Sequence, residues 1–141
     1  MQLTKNFSLE ELTTSQVAER AGVSNQPDPS AFNNLVFTAT QMEAVRKLLG
    51  TPIKVSSAYR SPEVNRLVKG AKDSQHTEGK AVDFISPSFG TPKQIVDKIK
   101  SSTIIFDQLI LEFNAWVHIS FNKQENRKQV LVIDNTGIRR L

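Results

Sequence analysis

Two short runs constrain this chain more than any other feature: KAVDFI at 80–85 and WVHISF at 116–121. Both have the β-branched and aromatic content of strands. A strand alternates its faces, so Val82 and Phe84 share one side while Ala81 and Asp83 share the other. In the second run Val117, Ile119 and Phe121 share a side opposite Trp116, His118 and Ser120. A sheet made from such strands has one apolar face to be covered and one face carrying an acid and an imidazole. A carboxylate among apolar neighbours costs several kcal/mol unless it is paired or binds a metal. The fold must therefore provide Asp83 with a partner.

The rest of the chain supplies the covering layer. Ser8 to Glu11 has capping-box spacing, so a first helix is expected from Ser8, ending before a Pro/Asn/Asp-rich loop at 22–30. Ser30 is the expected cap of a long helix to Leu49, with Gly50 as its stop. Its apolar positions Leu35, Ala39, Met42, Val45 and Leu49 recur at helical spacing and mark a core-packing face. Ser61-Pro62 and Thr91-Pro92 open two shorter helices, to about Gly70 and Lys100. Strands are expected at 53–57, 80–85, 106–112, 116–121 and 128–134. Helices come early and strands late with short links, which predicts a single α+β domain with helices on a central antiparallel sheet, its core spanning about residues 6–134.

Composition excludes some chemistry. The chain has 141 residues and no cysteine, so thiolate zinc sites, cysteine nucleophiles and disulfides are ruled out. Lysine and arginine number 18 against 14 acidic residues, a net charge of +4 that favours an anionic polymer. No arginine-rich helix or aromatic stacking platform accompanies it, so nucleic acid is not expected. No apolar run is long enough to span a bilayer. The first residues lack the basic-then-apolar layout of a secretory signal, so synthesis in the cytoplasm without such a signal is expected.

Only two histidines are present, His76 and His118. With Asp83 they make three N/O donors, the number used by catalytic zinc sites that keep a fourth position for water. The plain alternative is a core histidine hydrogen-bonded to a core aspartate. Arg60, closing the segment SSAYR, offers a fixed cation for an oxyanion or carboxylate. A general base is expected from Glu112. If Phe113-Asn114-Ala115 is a three-residue hairpin loop, Glu112 opposes Trp116 and Ile110 opposes His118. Glu112 then lies diagonal to His118 on the same face, roughly 7–8 Å away at the backbone. A four-residue loop would put it on the wrong face. Asp107 and Glu78 are weaker choices: one has the opposite alternation, the other sits in a turn and is expected to be solvated.

The pattern S-x-H-x-x-G-x-A-x-D (Ser74, His76, Gly79, Ala81, Asp83), followed by W-x-H (Trp116, His118), resembles the zinc D-Ala-D-Ala carboxypeptidases, within the murein metallopeptidases of hedgehog-type fold. The segment Ser57 to Arg60 and the opening FSLEEL also match, and the small size resembles phage endolysin-type members. The resemblance implies Zn2+ on His76, Asp83 and His118, with Arg60 binding and polarising the substrate. It also implies that Ser74 and Gln75 shape the pocket and that Trp116 packs beside the metal. Many relatives place the base three residues before the last histidine. That position here is Ala115, which leaves Glu112 as the equivalent. The implied activity is hydrolysis of a peptide bond in peptidoglycan, as carboxypeptidase or endopeptidase, by a monomer acting on the cell wall. Two rival readings remain: a non-catalytic zinc module on the same fold, and a virion structural protein that binds no metal. Metal content separates the second from the rest, and wall hydrolysis separates the first.

Overall fold

The computed structural model describes residues 1–141. Five α-helices, α1 (Leu9–Thr13), α2 (Gln16–Ala21), α3 (Pro29–Leu49), α4 (Pro62–Leu67) and α5 (Pro92–Lys100), accompany six strands. These are β1 (Lys54–Ser57), β2 (Ala81–Ile85), β3 (Gln108–Glu112), β4 (Trp116–Ser120), β5 (Gln129–Asp134) and β6 (Gly137–Arg140). They form one sheet in the order β1-β2-β4-β3-β5-β6. The architecture is the expected α+β class, with helices packed on the sheet.

The core lies on one face of that sheet. Leu35, Ala39, Met42 and Val45 of α3 and Ile95, Val96 and Ile99 of α5 are almost fully buried. They pack in one cluster with Val82, Phe84, Val117 and Ile119. Each of these side chains larger than alanine contributes roughly 1.5–3 kcal/mol by leaving water. The opposite face, bearing Asp83, Glu112, Trp116 and His118, opens into a cleft. No helix is long and apolar enough to cross a membrane.

Local chemistry moved several boundaries. The expected first helix breaks at Thr14. Thr13 and Thr14 turn their hydroxyls back onto the carbonyls of Leu9 and Glu10, and Ser15 caps a new helix by accepting from the Ala18 N–H. The long helix is capped by Asp28, not Ser30, because Pro29 takes the first helical position and the Asp28 carboxylate accepts from the Ala31 N–H at 2.8 Å. The reciprocal capping box occurs at Thr91 and Gln94, while Ser8 makes only its own half. The sheet is not wholly antiparallel: β5 runs parallel to β3. A further strand, β6, was not expected and pairs antiparallel with β5.

Candidate metal centre

Each donor stands where its element places it. β2 and β4 are antiparallel neighbours with Asp83 directly opposite His118. His76 comes from a short 3-10 helix, Gln75–Glu78, capped by Ser74, whose hydroxyl accepts from the His76 N–H at 3.2 Å. Gly79 ends this turn in the left-handed region at φ +76°, which turns the chain into β2. An added Cβ would lie 2.6 Å from the Ala31 carbonyl oxygen, so the turn needs glycine for both conformation and space. Thr38 of α3 pins it by donating to the Gly79 carbonyl at 2.8 Å.

Together these elements bring His76, Asp83 and His118 to one point, with a donor atom of each within 4.8 Å of the others. Asp83 Oδ2 lies 3.3 Å from His76 Nε2 and Asp83 Oδ1 lies 2.9 Å from His118 Nδ1. The two imidazoles meet edge to face, 5.1 Å apart. His76 Nδ1 is 2.6 Å from the Ala58 carbonyl, an oxygen that only accepts, so Nδ1 carries a proton and Nε2 is the ring nitrogen that faces Asp83. Nε2 and the Asp83 carboxylate can hold either a proton or a metal ion between them. The donor set therefore fits a divalent ion of zinc's preferences, with the Ala58 carbonyl as the outer partner that fixes the ring. Burial alone would raise the Asp83 pKa, but the flanking imidazoles hold it well below the usual carboxylate range.

The expected hairpin register is present. Glu112 pairs with Trp116 and Ile110 with His118. Phe113 and Asn114 both adopt positive φ, and the Ala115 N–H donates to the Glu112 carbonyl at 2.9 Å. That turn puts Glu112 on the donor face. It lines the same cleft of about 430 Å3 as the three donors, together with Arg60 and Gln108. Burial and the nearby negative charge of Asp83 raise the Glu112 pKa. Arg60 is partly desolvated, which lowers its pKa, while Asp83 and Glu112 offset this. One of its terminal nitrogens donates to Ser74 at 3.3 Å, and its Nε is buried without a partner.

The remaining expectations sort cleanly. Ser74, Gln75 and Trp116 all line the cleft. Gln75 is held by the Asp107 carboxylate at 3.0 Å. Trp116 Nε1 lies beside the Glu112 carboxylate but makes no hydrogen bond of normal geometry. Asp107 is buried outside the cleft and clasped by Arg127, with Nη2 2.5 Å from Oδ2, so it is not a free base. Glu78 pairs with Lys80 at the surface. Arg66 is exposed on α4 and lines no part of the cleft. The basic residue that does reach it is Arg127. Sequence reasoning missed it because its position depends on the parallel β5, and nothing near Arg127 announces that pairing.

Three potential metal donors, with an acid and a guanidinium in one cleft on the open face of an α+β sheet, are the kind of site that metallopeptidases use. The peptidase M15 family model matches residues 5–120, and the chain belongs to that family, whose peptidases are zinc-dependent. No curated protein matches the chain.

Proposed function

We propose that this protein is a zinc peptidase that hydrolyses a peptide bond in the stem or cross-link of peptidoglycan, one involving a D-amino acid, in an endolysin-like role on the bacterial wall. The observation that carries this reading is the convergence of His76, Asp83 and His118 within 4.8 Å, in a cleft shared with Glu112 and Arg60. His76 Nε2, an Asp83 oxygen and His118 Nδ1 would hold the ion. Bound zinc supplies Lewis-acid polarisation of a carbonyl and acidification of water. Glu112 takes the proton of the attacking water and returns it to the leaving nitrogen, and its raised pKa suits the second half of that task. Arg60 offers N–H donors to the oxygen on which negative charge develops, from a position that burial and Ser74 keep fixed. Gln75 and Ser74 hold the His76 turn and the Arg60 head in place. The net charge of +4 favours approach to an anionic wall, where the protein is read as acting as a monomer.

The test uses purified protein as prepared, after chelation and after zinc restoration. Metal analysis is expected to give one zinc per chain. Turbidity of a murein suspension is expected to fall only with the zinc-loaded forms, and mass spectrometry of the released fragments identifies the bond. Zinc binding without any cut fragment would reduce the protein to a binding module.

A further inference from the structure

A second cavity of about 690 Å3 adjoins the candidate metal centre. Arg60 and Trp116 line both and form their common wall. The lining is of a different kind: Val17, Val55, Val64, Val68 and Ile85 contribute, and Lys54 is the only charged residue besides Arg60. One side of this groove is β1, an outer strand of the sheet. No backbone group of residues 54–57 hydrogen-bonds outside the pairing with β2. An outer strand with free N–H and C=O groups is the element to which extended peptides add as a further strand. β1 is short, carries Lys54 and is bulged between Val55 and Ser57, features that discourage pairing with another sheet yet leave room for one short peptide.

The common wall also carries two donors without a hydrogen bond of normal geometry, although the Glu112 carboxylate lies beside one of them. Arg60 Nε and Trp116 Nε1 are both buried and unpartnered. A buried donor left in that state costs about 1–3 kcal/mol. A peptide passing from one cavity to the other lies against these two side chains, and a turn of either side chain would bring its buried N–H to a peptide carbonyl. Of the basic residues weighed for holding a terminal carboxylate, Arg66 lies elsewhere and Arg127 is paired with Asp107, which leaves Arg60, in the wall shared with the groove.

Building on the peptidase reading, we propose that the groove holds an extended segment of the substrate, added along the outer edge of β1, so that the protein cuts within a peptide chain and does not trim a terminal residue. Four strand residues span about 13 Å, enough for a segment of about three to four residues.

Trp116 is the only tryptophan and stands in the common wall, so its fluorescence reports occupancy of the groove. Synthetic stem peptides of two to five residues, extended on either side of the susceptible bond and with free or blocked ends, are titrated into zinc-loaded Glu112→Gln protein. The wild-type protein is assayed for cleavage of the same peptides by mass spectrometry. Affinity is expected to rise at least tenfold on going from two to five residues in one direction, and blocked peptides are expected to be cut internally. Val68→Glu, at a partly exposed groove position, is expected to abolish the gain while circular dichroism and zinc content stay as in the parent protein. Equal affinity for short and long peptides, with cleavage only at free termini, overturns the groove and leaves the peptidase reading standing. Failure of every peptide to bind or be cut removes the peptidase reading and the groove with it.

Discussion

Gly79→Ala tests how rigidly the scaffold holds the donors. Gly79 lies three residues after His76 and four before Asp83, at φ +76°. A left-handed conformation costs a residue with a Cβ roughly 1–2 kcal/mol. The new methyl would also stand 2.6 Å from the Ala31 carbonyl oxygen and 3.2 Å from Leu35 Cγ. The first neighbour is backbone inside α3, so it cannot rotate away, and trimming Leu35 would not relieve the contact. Either the turn or α3 has to move by several tenths of an ångström. We expect a total loss of about 2–4 kcal/mol in urea denaturation of the zinc-free protein, the range of strained, overpacked positions. The displaced turn carries His76, so zinc affinity measured by competition with a chromophoric chelator is expected to fall at least tenfold as well. A loss under about 0.5 kcal/mol with unchanged zinc affinity would refute the claim that α3 fixes the turn.

Glu112→Gln is expected to retain zinc by metal analysis and to lose at least about 100-fold in murein hydrolysis, the scale of general-base removal. His118→Ala is expected to lose stoichiometric zinc on dialysis, and chelation of the wild-type protein to lower its melting temperature; at free zinc a thousandfold above Kd the ion contributes about 4 kcal/mol. Asp107→Asn is expected to cost about 1–3 kcal/mol at pH 7 through its buried hydrogen bonds. Hydrogen bonds from Arg127, Gln75 and the Arg127 backbone hold the Asp107 carboxyl below its ordinary value. Its contribution is thus fully present above about pH 4 and fades as pH falls through the depressed folded-state value. Denaturation at pH 7 and pH 3 should show the gap between wild type and variant shrinking on the acid side.

Much of the metal-binding face was legible because strand alternation is a strict rule. Asp83 and His118 had to stand on the faces opposite Phe84 and Ile119, and one assumption about a three-residue loop then placed Glu112. The cap at Asp28 was hidden by a competition between two good capping residues, which Pro29 decided. The break at Ser15 was hidden because back-bonded threonines and a serine cap compete with helix continuation only by small energies. The parallel pairing of β5, and with it Arg127, could not be read at all. Strand direction depends on how residues 121–128 return across the molecule, and no local pattern encodes that path.

That returning hairpin has a practical corollary for anyone shortening the chain. The strand holding Glu112 is flanked on both sides, by β4 and by β5. The M15 match stops at residue 120, yet a protein trimmed there would turn this strand into a bare margin rich in Leu109, Ile110 and Leu111, inviting self-association. The residues after Ser120 are therefore best regarded as a selvedge, woven on to keep the fabric from fraying.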